Sequence, residues 1–178
     1  GDFIEKLVPR KEKFIVDDHQ RNYLKEIEKY HGFCCIPSHT DFKQVINKFY
    51  NTYNKIEHKP KSGKIINSIK FVKHIFGDQV EFGLDYLKIL YEKPIQMLPV
   101  WCLVSKSRNT GKTTFLNWLK KIYGNNMTYN KNDDFRSQFN SDWLGKLLIA
   151  VDEVLFDRKE DQEKIKNLST AKTYKVEA

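Results

Sequence analysis

Apolar residues recur at helical spacing over much of this chain, and the repeats are punctuated by Gly and Pro. Tyr23, Leu24, Ile27 and Tyr30 fall on one face of a helix that Asp17 or Asp18 would cap and Gly32 would end. Phe42, Val45, Ile46, Phe49, Tyr50 and Tyr53 form a 3.6-period stripe, predicting a second helix that starts at Thr40 or Asp41. Lys59-Pro60-Lys61-Ser62-Gly63 breaks the pattern and is the linker candidate. Two further helices are predicted over about 64–76 and 82–92, the latter closed by Pro94.

Beyond Pro94 the pattern changes. Pro99-Val100-Trp101-Cys102-Leu103-Val104 is an unbroken apolar run, as expected of a strand buried on both faces of a parallel sheet. Phe115, Leu116, Leu119 and Ile122 then return to helical spacing until Gly124. Met127-Thr128-Tyr129-Asn130 and Leu147-Leu148-Ile149-Ala150-Val151 read as two more strands. Phe135, Phe139 and Trp143 fit one helix face, and the charged stretch 157–167 fits a solvated helix. The fold class expected is α/β: a helical N-terminal unit over 1–94, then a core with a parallel sheet over 95–178.

Chemistry enters between the first core strand and its helix. Ser105-Lys106-Ser107-Arg108-Asn109-Thr110-Gly111-Lys112-Thr113-Thr114 has the strand, loop, Gly-Lys-Thr, helix order of a phosphate-binding P-loop, so the expected core over 95–178 is that of a P-loop nucleoside-triphosphatase. The loop N–H groups of Ser107 to Thr114 and the helix N-terminus would face the phosphates of ATP. Lys112 would reach the β/γ oxygens, and the Thr113 hydroxyl would hold Mg²⁺. One departure is plain: Lys106 stands where the motif G-x-x-x-x-G-K-[ST] has its first glycine. Downstream, the strand ending at Val151 delivers Asp152 and Glu153, in the pattern of a Walker B segment. Asp152 would act on the Mg²⁺ shell, and Glu153 would orient or deprotonate the attacking water.

These residues carry a family resemblance. Leu84 to Pro94, Leu98-Pro99-Val100, the Ser105 to Thr114 loop, Phe135 to Asn140, Asp152-Glu153 and Lys164 to Thr170 resemble the helicase part of virus-, phage- and plasmid-type primase-helicases. Those are superfamily 3 helicases, a branch of the AAA+ ATPases, and the resemblance covers roughly 80–178. In that family the opening glycine is less strictly kept. The resemblance implies an ATP-driven motor on single-stranded DNA that assembles as a homo-oligomeric ring, a hexamer. It implies that Lys166, Lys172 and Lys175 lie where a DNA-contacting segment begins. It also implies a sensor residue and an arginine finger that this chain lacks. With Gly1 in place of Met and a strand-like Thr173-Tyr174-Lys175-Val176-Glu177 at its end, the chain reads as a fragment truncated at its C-terminus, expected to bind nucleotide but hydrolyse it poorly.

Composition changes this picture little. The chain has 178 residues, 40% hydrophobic and 30% charged, and no apolar run approaches the roughly 18–20 residues of a membrane span. Cys34, Cys35 and Cys102 are no disulfide framework, which points to a reducing cytoplasm. His31, Cys34, Cys35 and His39 lie close in sequence but lack the spacing of a common zinc finger; the better expectation is that Cys34 and Cys35 pack as small apolar residues near a helix boundary and the histidines lie in a loop. The net charge of +8 suits a polyanion. Lys55, Lys59, Lys61, Lys64, Lys70 and Lys73 accompany a single acid, Glu57, with Tyr50, Tyr53 and Phe71 alongside, a pattern shared by nucleic-acid surfaces and solvated helix faces. The alternative to a motor is a nucleotide-gated DNA-binding or interaction module that does not unwind. A small-molecule kinase is disfavoured, because Arg136 and Arg158 are the only arginines after the loop and supply no arginine-rich lid.

Overall fold

The computed structural model describes residues 9–131, 143, 145–151 and 159–170. Its elements in chain order are α1 (Glu12–His19), β1 (Gly32–Cys34), β2 (Val45–Ile46), β3 (Phe49–Asn51), α2 (Ile66–Phe76), α3 (Val80–Glu92), α4 (Lys112–Tyr123), β4 (Met127–Asn130), β5 (Leu148–Val151) and α5 (Lys159–Thr170). The fold is mixed α/β.

The N-terminal third is not the helical unit that its periodicity predicts. In place of one helix to Tyr30, α1 stops at His19, where Gln20 adopts φ 70° and its N–H returns to the Val16 carbonyl; a 3₁₀ turn, Arg21–Lys25, follows. The stripe from Phe42 to Tyr53 folds as a hairpin. Val45 pairs with Tyr50 and Ile46 with Phe49, and Asn47 and Lys48 close the turn with φ of 48° and 65°. Two consecutive left-handed residues are the mirror-type turn whose twist suits a two-residue hairpin, and they end any helix there. β1 adds parallel to β3, giving a three-stranded sheet in the order β1-β3-β2. Asn51 anchors this sheet: 1% exposed, its Oδ1 accepts from the Ile36 and Tyr53 amides, and its Nδ2 donates to the Ile36 and Lys43 carbonyls. All four valences of the buried amide are used.

α2, α3 and α4 follow their periodicity closely. Gly83, inside α3, is required by close approach: a Cβ there would lie 2.7 Å from the Phe76 ring. The main core joins Leu90 of α3 to Phe115, Leu119 and Tyr123 of α4, Met127 of β4 and Ala150 of β5, with Ile56, Phe71, Ile75 and Phe76 packed against it. It therefore draws on residues either side of 94. Residues 54–65, which contain the expected linker, form neither helix nor strand. Asn126 pins this segment, accepting from the Asn54 amide at 3.0 Å and donating to the Asn54 carbonyl at 2.7 Å.

β4 and β5 form a parallel pair, from Met127 opposite Leu148 to Asn130 opposite Val151. The run 99–104 forms no strand, against expectation. A strand needs a ladder partner, and none of the described residues pairs with this backbone. Val100 is 54% exposed and Val104 88%, so the run is not sandwiched between two layers. α5 agrees with the helix expected over 157–167. Trp143 is buried beneath the Lys164 ammonium, 4.9 Å from its ring centroid, while Phe135 and Phe139 lie outside the described residues. No helix among the described residues is long and apolar enough to cross a membrane.

His39 ties three of these elements together. Its Nδ1 lies 2.7 Å from the Tyr91 carbonyl oxygen, which can only accept, so that nitrogen carries the proton; Nε2 then accepts from the Tyr53 hydroxyl at 2.7 Å. Its ring also meets those of Tyr91 and Tyr123. Among the described residues no metal-ligating cluster forms, and His39 uses both nitrogens in this network rather than in a zinc site. Burial lowers the His39 pKa from its ordinary value, partly opposed by the Tyr91 carbonyl. The unfolded chain then binds a proton that the folded one refuses. Stability is complete above about pH 6.5 and falls as pH drops from there towards the lowered folded value. Urea midpoints should be lower near pH 5.5 than near pH 7.5, and the gap should shrink in His39→Gln; an unchanged gap would sink the assignment.

A candidate nucleotide site at the start of α4

Gly111 sets the site. With φ 91° it sits in the left-handed region as the cap residue before Lys112, the first residue of α4. A Cβ there would meet Ile75 Cδ1 at 3.4 Å and the His74 ring at 3.8 Å, so the loop rests directly on α2. The Phe115 amide closes the first turn on the Gly111 carbonyl at 2.9 Å. The preceding amides, Lys112, Thr113 and Thr114, are the first-turn donors that a helix leaves without internal acceptors. Asn109 is the other left-handed residue of the loop, with φ 57°. Lys106 is not among the residues of positive φ, so the backbone does not demand a glycine where the motif has its first one.

The side chains close the loop on itself. The Lys112 ammonium donates to the Ser105 hydroxyl and, at 3.2 Å, to Thr110 Oγ1; Thr110 Oγ1 donates to Ser105 Oγ at 3.0 Å; Ser105 Oγ donates to the Ser107 carbonyl at 2.8 Å. Among the described residues Lys112 has no carboxylate partner within ion-pair distance. A half-buried ammonium held by neutral hydroxyls is poised for a stronger acceptor, and phosphate oxygens are one. Ser107, Arg108, Asn109, Thr113 and Thr114 are exposed, whereas Thr110 and Gly111 are half-buried. The loop therefore places Gly111, Lys112, Thr113 and Thr114 at the start of α4, with a donor set that fits an anion.

A cleft of about 560 Å³ opens beside the loop, with Ser105, Thr110, Lys112 and His74 on its wall. His74 is a residue whose place the sequence did not disclose. Its Nε2 lies 3.1 Å from the Thr110 carbonyl, so it donates there and props the loop from α2. In sequence it is only one more basic residue in the lysine-rich stretch. Asn130 is a second. At the C-terminal end of β4 it is 4% exposed, and its Oδ1 has no partner among the described residues. It stands opposite Val151, the residue before the acidic pair.

Asp152 and Glu153 lie outside the described residues, as do Lys172 and Lys175. Lys166 is exposed on α5 and borders a groove with Met97, Pro99 and Val100. Residues 103–178 match a family described as one of unknown function, DUF5906, a segment that holds both the Gly-Lys-Thr loop and the acidic pair. No curated protein matches the chain, and no solved structure does.

Proposed function

We propose that this chain carries the ATP site of an AAA+ motor of the superfamily 3 helicase type, which couples Mg·ATP hydrolysis to movement on single-stranded DNA. The observation that carries the reading is the start of α4: a left-handed Gly111, three first-turn amides and a Lys112 ammonium held by two neutral hydroxyls converge at one loop. Backbone amides 112–114 would hold phosphate oxygens, and Lys112 would exchange two hydroxyl partners for the β/γ oxygens. Thr113 and Asp152 would hold Mg²⁺, whose chemistry is to neutralise charge on the transferred phosphoryl group. Glu153 follows Asp152 and would orient and deprotonate water. The parallel β4–β5 pair supports this placement, since β5 ends one residue before Asp152 and ligands of open α/β sheets gather beyond the carboxyl ends of the strands.

Turnover of Mg·ATP with and without single-stranded DNA, measured on a longer chain that includes the sensor and arginine-finger residues the resemblance implies, tests the reading. Glu153→Gln should bind ATP as the parent does and lose turnover by about 10²-fold or more. Surviving turnover would remove Glu153 from the role of base. ATP binding without DNA-stimulated turnover in the parent would favour the nucleotide-gated module.

A further inference from the structure

The same cleft runs past the loop to an apolar wall, and that wall is not explained by phosphate binding. Phe82, near the start of α3, is 51% exposed, and its ring borders the cleft, as do Phe76 and Val100. Gln79, in the turn between α2 and α3, and His74 add polar groups to the same wall. His74 Nε2 is engaged with the Thr110 carbonyl, while Nδ1 has no hydrogen bond among the described residues. Beside this wall the Trp101 ring lies against Tyr86, centroids 3.9 Å apart and planes tilted by 32°, and meets Phe76 at 5.1 Å. One cavity is thus lined both by the Lys112 ammonium with the Ser105 and Thr110 hydroxyls and by the aromatic ring of Phe82. A ligand matching both linings has an anionic tail and a planar, hydrogen-bonding head, which is the chemistry of a nucleoside triphosphate.

We infer that α2, α3 and the turn between them form the nucleobase seat, with Phe82 as the stacking platform and Gln79 and His74 reading the edge of the base. This rests on the nucleotide reading above and extends it: the phosphate loop supplies affinity for the triphosphate, and the helices before it supply selection of a base. An exposed aromatic ring suits this because every base has a π-face, and base–aromatic stacking contributes about 1–3 kcal/mol, or roughly 5- to 150-fold in affinity. Helix α2 contributes to both linings, through His74 to the loop carbonyl and through Phe76 to the aromatic wall.

The test compares Mg·ATP with inorganic tripolyphosphate plus Mg²⁺ by calorimetry, on the parent chain, Phe82→Ala and Phe82→Tyr. The parent should bind ATP at least about tenfold more tightly than tripolyphosphate. Phe82→Ala should bring that ratio close to one, and Phe82→Tyr, which keeps the ring, should restore it. An unchanged ratio in Phe82→Ala, or a parallel loss of both ligands that leaves the ratio intact, overturns the base seat while the phosphate site stands. Binding of neither ligand by the parent overturns the nucleotide reading and the seat with it.

Discussion

Replacing Phe115 with alanine should lower the free energy of unfolding by about 3–5 kcal/mol, the range for emptying a buried aromatic position. Phe115 is 0% exposed and lies within ring contact of Phe71, Phe76, Trp101 and Trp118, at centroid separations of 5.5–6.2 Å. Those partners come from α2, from the run before the loop and from α4 itself, so no single element can relax to fill the space. Against a typical stability of 5–15 kcal/mol, that loss is a large share. Urea unfolding followed by tryptophan fluorescence measures it, because two of the contacting rings are indoles. Phe115→Leu, which keeps most of the volume, should fall well short of the alanine loss. A loss below about 1 kcal/mol for the alanine variant would mean that the site collapses and is not the keystone described.

Lys112→Ala should do the reverse, leaving stability almost unchanged and removing nucleotide binding. Among the described residues the ammonium donates only to the Ser105 and Thr110 hydroxyls, so its removal should shift unfolding by no more than about 0.5 kcal/mol. Each charge-assisted hydrogen bond to phosphate is worth about 1.5–3 kcal/mol, so losing one or two weakens Mg·ATP by roughly 10²-fold. Titration calorimetry on the two variants separates these effects. A folded Lys112→Ala chain that still binds ATP with parental affinity would end the phosphate-loop reading.

α4 was legible because its three signals agree: an apolar face at Phe115, Leu116, Leu119 and Ile122, a glycine before it at Gly111 and another after it at Gly124. β5 was legible as a short apolar run of strand length, and β4, Met127-Thr128-Tyr129-Asn130, as the segment between the helix-ending Gly124 and a polar loop. The hairpin over 45–50 was not. Phe42 to Tyr53 happens to satisfy the helical period, and the deciding signal is backbone conformation at Asn47 and Lys48, where no glycine advertises a turn. The run 99–104 looked like a buried strand because Val, Trp, Cys and Leu are strand and core residues alike; the missing ladder partner is a tertiary fact that composition cannot supply. His74 and His39 were invisible for a related reason. A histidine's role depends on which carbonyl or hydroxyl lies opposite, and Thr110, Tyr91 and Tyr53 are distant in the chain.

The paired bonds between Asn126 and Asn54 make covalent continuity through the lysine-rich segment less important than it looks. His39, on the N-terminal side of that segment, adds a bond to the Tyr91 carbonyl of α3 and a ring contact with Tyr123 of α4 on the other side. A protease nick among residues 55–64 would therefore yield two pieces that stay bound to each other, not two independent modules.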